Sequence, residues 1–241
     1  LLLWLRSESA RNWGLYAGAV ALFLLALLAK TSVVMLPVAM VLLLWYRRRA
    51  TLAALLRTAP FFAISLALGL VTMWFQAHRS IADTQIRTDD LASRVATAGW
   101  SVWWYLGKAI FPVNITFSYP TSGWAGAARY GAIAFVPAAL VAIAAVVLWA
   151  LHRKIGRGWA TAFVIYVVML LPILGLVNVY FMRYSLVSNH WQYASMPAFC
   201  AAVGAVVAWG ARRGGVVQWN SAIVGALAVL ALLALDTFTI A

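Results

Sequence analysis

Outside the stretch from His78 to Arg129, nearly every charge falls in a short break between apolar runs of about 16 to 25 residues. That spacing constrains the fold more than any other feature. A helix needs about 20 apolar residues to cross the hydrocarbon core, and inside a bilayer only helices and closed barrels satisfy every backbone donor and acceptor. The runs are continuous and not alternating, which selects helices. A soluble domain carries about a quarter charged residues, whereas this chain is 10% charged and 66% hydrophobic. The expected fold class is all-α: a polytopic transmembrane helix bundle in 1–241, read as a single transmembrane domain with the lipid bilayer as partner.

Charge-free stretches set the expected spans. Trp13 to Ala29 and Thr31 to Tyr46 are separated only by Lys30, and one helix across both would be about 50 Å long, so a tight hairpin of two short spans is expected. Thr58 to Ala77, Tyr130 to Leu151, Gly158 to Met182, Trp191 to Ala211 and Gly214 to Leu235 bring the total to about seven. The segment from His78 to Arg129 carries Arg79, Asp83, Arg87, Asp89, Asp90 and Arg94, then the aromatic cluster Trp100, Trp103, Trp104, Tyr105, then Lys108 and the helix breakers Pro112 and Pro120. It reads as one interfacial or re-entrant segment with an aromatic belt. If it makes no net crossing, Arg6/Arg11, Arg47 to Arg49 with Arg57, Arg153/Lys154/Arg157 and Arg212/Arg213 share one face, the cytoplasmic one by the positive-inside rule. The alternative is a crossing helix that ends near Pro112.

The formal charge of +13 comes from Lys and Arg scattered at helix ends. No basic stripe with interleaved aromatics exists, and nucleic acid is excluded as a partner. Cys200 is the single cysteine, so an intrachain disulfide and a cysteine metal cluster are both excluded. Leu1 opens an apolar stretch with neither an initiator Met nor a signal-peptide layout, and the chain reads as an internal fragment of something longer.

Four places combine residue types that carry chemistry. Lys30, followed by Thr31 and Ser32, is a lone cation at the outer turn of the first pair of spans. It either snorkels or receives a lipid-linked phosphate. Gln76, His78 and Arg79 gather an amide, an imidazole and a guanidinium at the outer end of the third span, where helix ends commonly turn polar. The loop from Phe181 to Tyr193 sets Arg183, Asn189, His190 and Gln192 among Tyr184, Trp191 and Tyr193. Rings stack on sugar faces while amides and hydroxyls bond sugar hydroxyls, which an ordinary aromatic belt does not require. Lys108 opens a fourth stretch, where Asn114-Ile115-Thr116 matches a glycosylation acceptor by chance so close to the membrane, and Pro112 and Pro120 suit an extended lid. The carboxylates expected outside are Asp83, Asp89 and Asp90, so a complete catalytic base is not evident. No zinc pattern, phosphate loop or serine triad appears, no cofactor is identified, and a divalent metal is left open.

These stretches together resemble a family. Leu28-Ala29-Lys30-Thr31 through Leu36-Pro37, Ala59-Pro60-Phe61-Phe62 with Trp74-Phe75-Gln76, Trp104-Tyr105-Leu106 with Lys108 and Phe111-Pro112, Tyr119-Pro120, Leu171-Pro172 with Gly175, and Arg183-Tyr184-Ser185 through His190-Trp191-Gln192-Tyr193 occur in order over nearly the whole chain. Their set resembles large bacterial multi-pass membrane proteins with tetratricopeptide repeats, relatives of the eukaryotic transmembrane and tetratricopeptide-repeat O-mannosyltransferases, which carry a GT-C type glycosyltransferase membrane domain. The resemblance implies a bacterial inner-membrane enzyme that transfers a sugar, with inversion, from a polyprenyl-phosphate carrier to a protein or glycan acceptor at the outer face. On this reading Arg183 and His190 take catalytic roles beside the phosphate and sugar, facing Lys30 and Gln76 across an outer cavity, and Lys30, Gln76, His78, Arg79, Lys108, Asn189, Gln192 and Tyr193 are the expected substrate-binding residues. The resemblance also places the catalytic base in an outer loop upstream of Leu1 and the repeats downstream of Ala241. The family usually has an Asp directly before the loop histidine; Asn189 stands there, removing a potential acid or metal ligand. Two other readings remain: a transporter or flippase for a lipid-linked sugar, and a non-catalytic membrane anchor for a repeat domain.

Overall fold

The computed structural model describes residues 1–10, 12–81, 89–116, 118–119 and 131–210. Among these the protein is all-helical, with no strand. The expected span from Gly214 to Leu235, the Arg212/Arg213 cluster and Asp83 lie outside the described residues.

Prolines and polar caps punctuate the helices. Helix α1 is Leu2–Ala10 and α2 is Trp13–Ala29, opened by the Asn12 side chain accepting the Leu15 N–H at 3.1 Å. The chain breaks at Lys30, whose backbone is extended (φ −154°, ψ 114°), and re-enters through the 3-10 turn Thr31–Met35 into α3, Leu36–Tyr46. Pro37, Pro60 and Pro137 each sit in the first turn of a helix, where the missing N–H costs nothing. They begin α3, α5 (Ala59–Phe75, after the short α4, Leu52–Leu56) and α7 (Val136–Ala150). The expected hairpin is a looser arrangement: α2 packs mainly against α1 and α5, whereas α3 packs mainly against α9.

Among the described residues two helices are long and apolar enough to cross a membrane, Leu52–Arg79 and Gly131–Ala150, counting their non-α turns. Trp13–Ala29, Thr31–Tyr46, Arg157–Ile173 and Met196–Gly210 are apolar but shorter. The expected 25-residue span from Gly158 to Met182 divides in two. After α8 (His152–Ile155), α9 runs Arg157–Leu170 and gives way to the 3-10 turn Leu171–Ile173. Pro172 cannot continue the hydrogen-bond ladder, and Gly175 at φ +80° turns the chain into a conformation that favours glycine. Irregular chain and two 3-10 turns, Tyr180–Arg183 and Asn189–Ala194, then lead to α10, Met196–Gly210.

The segment read as interfacial contains a regular helix, α6, Leu91–Ile110, capped by the Asp90 carboxylate accepting the Ser93 N–H at 3.0 Å. Its buried face carries Ala98, Val102 and Tyr105 at helical spacing. Arg94 in its first turns reaches the Leu176 carbonyl, and the Tyr105 hydroxyl accepts the Ser188 N–H at 3.2 Å. Both partners belong to the chain between α9 and α10.

Among the described residues burial forms two large apolar clusters and a small one of Ala96 and Ala134. One large cluster joins α1 to α5 through Trp4, Phe23, Leu27, Met40, Leu44 and Phe61; the other joins α6, α9 and α10 through Val102, Tyr105, Tyr166, Leu170, Val187 and Ala198. The α3–α9 packing links them. On α7 the outward face is apolar as well, with Leu140, Ile143, Val146, Val147 and Trp149 exposed.

Candidate functional site

The polar residues meet where the α2–α3 break packs against the turn before α10. Lys30 Nζ donates to the His190 carbonyl at 3.3 Å, across 160 residues of chain, and lies 6.0 Å from the centre of the Tyr193 ring. The local reason is the extended backbone at Lys30, which ends α2 and leaves an exposed ammonium at its rim. A lysine ammonium has three N–H donors; this contact uses one. Across the turn, His190 Nδ1 lies 2.8 Å from Ser188 Oγ. Partial burial lowers the His190 pKa from its ordinary value and the Lys30 ammonium lowers it further. With an ordinary imidazole near 6.5, His190 is neutral at pH 7.

A second group adjoins through Asn189. Its amide donates to the Tyr119 hydroxyl at 2.7 Å and to the Thr116 carbonyl at 3.3 Å. Tyr119 N–H donates to Ser185 Oγ at 3.0 Å, and Ser118 Oγ donates to the Tyr184 carbonyl at 3.3 Å. Lys108 Nζ bonds the Val113 and Asn114 carbonyls at 2.5 and 3.2 Å and lies 5.7 and 5.6 Å from the Trp104 and Tyr119 ring centres. Partial burial pushes the Tyr119 phenol up, but the Thr116 N–H, the Asn189 amide and the Lys108 ammonium outweigh it and hold its pKa below the ordinary value. The segment expected as an extended lid is thus stitched to the 184–189 loop as far as Tyr119; Pro120 lies outside the described residues.

Among the described residues three buried oxygens in the two packed turns have no hydrogen-bond partner: Ser32 Oγ, Asn189 Oδ1 and Gln192 Oε1. Gln192 is only 6% exposed. Leaving such an atom unpaired costs about 1–3 kcal/mol, so the two amide oxygens can accept, and the Ser32 hydroxyl can donate or accept, hydrogen bonds that the described residues do not make.

The expected site residues therefore divide. Lys30, His190 and Tyr193 form one cluster, with Gln192 in the same turn. Asn189 and Lys108 meet around Tyr119. Gln76, in the π-helical turn Gln76–Ile81 that ends α5, accepts the Tyr180 N–H at 3.1 Å and so ties the third span to the same loop. Arg183 is exposed and lies 6.0 Å from the Tyr184 ring centre, with no hydrogen bond to Lys30 or His190 among the described residues. His78 stacks on Trp74 at 5.1 Å and bonds its carbonyl at 2.9 Å, while Arg79 is exposed at the same helix end. The arrangement differs from one in which His190 and Arg183 face Lys30 and Gln76 across a cavity, because Lys30 touches the histidine turn directly. Tyr105 and Tyr119 hold the loop from behind and were not among the expected site residues. Tyr105 was findable, since Ala98, Val102 and Tyr105 lie on one helix face.

Among the described residues no three His, Cys, Asp or Glu side chains gather as a metal site would need. The described carboxylates lie elsewhere: Glu8 pairs with Arg57 at 3.0 Å, Asp89 lies 3.9 Å from Arg94, and Asp90 caps α6. No protein family, curated protein or solved structure matches the chain.

Proposed function

We propose that the chain is part of the membrane domain of a glycosyltransferase that moves a sugar from a polyprenyl-phosphate carrier to a protein or glycan acceptor at the outer face of a membrane. The observation that carries this reading is the Lys30–His190 junction with its unpaired oxygens, Ser32 Oγ, Asn189 Oδ1 and Gln192 Oε1. A sugar phosphodiester complements that set. Its charge meets the Lys30 ammonium, its hydroxyls supply the donors that the amide oxygens lack, and its ring faces suit Tyr193. In this scheme Lys30 holds the phosphate, Arg183 opposes negative charge that grows on the leaving phosphate, and neutral His190 donates or accepts a hydrogen bond. The base is expected upstream of Leu1.

The membrane setting draws support from the exposed apolar face of α7, since a soluble protein rarely shows a contiguous apolar patch of that kind. The seven-span bundle belongs to this proposal, with Gly214 to Leu235 as its last member and α6 lying across the outer end.

One observation favours a second reading, a transporter or flippase that binds the lipid-linked sugar without cutting it: the described carboxylates are all engaged away from the cluster. The full-length protein in proteoliposomes separates the two with a radiolabelled polyprenyl-phosphate sugar. Transfer to acceptor, lowered about 100-fold or more by Arg183→Ala, supports the transferase. Movement of intact lipid-linked sugar without transfer selects the transporter. Residues 1 to 241 alone are expected to be inactive, and transfer by that fragment would place the catalytic centre elsewhere.

A further inference from the structure

Between α3, α9 and α10 a cavity of about 920 Å³ runs from Leu36, Ala194 and Pro197, beside the turns that carry Lys30 and His190, to the opposite end of the helices. Its long walls run from Leu36 to Tyr46 on α3 and from Gly158 to Met169 on α9. The α10 wall is made of small side chains, Ala198, Ala201, Ala202 and Ala205, so the third helix leaves the space unfilled. Tyr46, Trp159, Trp209 and Lys154 stand at one mouth. Arg157 ties that mouth together, donating to the Trp45 carbonyl at 2.8 Å with its guanidinium 4.9 Å from the Trp45 ring centre. Arg47, Arg48 and Arg49 follow Tyr46 directly and are exposed, and so is Arg153 beside Lys154. The three described carboxylates are occupied elsewhere, so this basic mouth has no anion among the described residues.

We propose that the groove holds an acyl chain of an anionic phospholipid of the inner leaflet, with its phosphate at Lys154. The proposal rests on the membrane reading above. From Leu36 to Tyr46 the wall is about 15 Å long at 1.5 Å per residue, about half of a ~30 Å hydrocarbon core and therefore one leaflet deep. That depth suits one phospholipid acyl chain that enters from the basic mouth. Basic pockets between membrane helices on the cytoplasmic side are suited to anionic headgroups, and the aromatic mouth suits the interfacial depth.

The test uses the full-length protein in phosphatidylcholine vesicles that contain spin-labelled phosphatidylglycerol or, separately, spin-labelled phosphatidylcholine. The motionally restricted fraction of each label reports association with the protein. Wild type should prefer the anionic label several-fold. Lys154→Gln should lower that preference about fivefold, as expected for one cation near the surface at ~1 kcal/mol, and Ala201→Leu should abolish the preference for the anionic label with every charge in place. The milder Ala198→Val gives the same readout if Ala201→Leu fails to fold. Equal association of the two labels in wild type overturns the proposal. So does a preference that falls with Lys154→Gln but survives both groove-filling changes, because that is surface attraction alone. Displacement of the label by equimolar polyprenyl phosphate assigns the groove to the carrier and also overturns it. Carbonate extraction of the wild-type protein from the vesicles overturns the membrane reading and this proposal together, whereas stable insertion without lipid preference overturns this proposal alone.

Discussion

At the scale of residues, the Lys30–His190 contact makes two measurable statements. If the ammonium receives the carrier phosphate, Lys30→Met removes a charge-assisted hydrogen bond and should weaken equilibrium binding of a radiolabelled polyprenyl-phosphate sugar by about 1.5–3 kcal/mol. Unchanged affinity in a folded variant would leave Lys30 a snorkelling side chain. The second statement concerns pH. Burial and Lys30 lower the His190 pKa in the free protein, and an arriving phosphate raises it again. Binding then takes up a proton, so affinity should rise as pH falls through the range below about 6.5 and level off once the free imidazole is also protonated. A sugar phosphodiester keeps one negative charge throughout that range, so the slope reports the protein; His190→Gln should flatten it. Without ligand the sign is opposite. The unfolded chain binds the proton more readily than the folded one, so His190 costs stability as pH falls through that same range.

At the scale of elements, the crossing of α6 and α7 rests on one missing side chain. A Cβ built on Gly99 would stand 2.4 Å from the Ala138 backbone nitrogen, and Trp103 Nε1 donates to the Pro137 carbonyl at 3.0 Å beside it. Small residues let helices in a bilayer approach closely. Gly99→Ala should therefore destabilise the protein by about 1–3 kcal/mol through overpacking. Gly107, on the same helix, has nothing within 4 Å of its added Cβ, so Gly107→Ala should be neutral or stabilising by up to about 1 kcal/mol. Thermal unfolding of the two variants in one detergent compares them directly, and a larger loss at Gly107 would refute this packing. Pro37, Pro60 and Pro137 start α3, α5 and α7 by a local effect, whereas the charge-free stretches put the starts at Thr31, Thr58 and Tyr130 and so took in the 3-10 turns Thr31–Met35 and Gly131–Phe135. The end of α9 was not legible. Leu171 to Met182 is apolar enough to extend a helix, and hydropathy outweighed Pro172 and Gly175 in the expected span.

At the scale of the whole molecule, the helices have two chemically different ends. Lys30, Gln76, Tyr180, Asn189 and His190 lie at one; Trp45, His152 and Arg157 meet at the other. In a Cys200→Ala background, an impermeant thiol reagent on intact cells should label Val113→Cys and spare Arg153→Cys. The reverse pattern, or equal labelling, would remove the orientation. What the sequence by itself determined is the helical class, most of the breaks, and the sorting of basic clusters from the Lys30 and His190 segments. Those properties follow from local composition and hydropathy, which act over one or two helical turns. Only the tertiary structure decided that Lys30 touches the His190 turn, that Asn189 is held through Tyr119, that α3 packs on α9 and not chiefly on α2, and that an alanine wall leaves a groove behind it. Those outcomes depend on how side chains far apart in the chain interlock, and hydropathy is blind to which apolar face meets which.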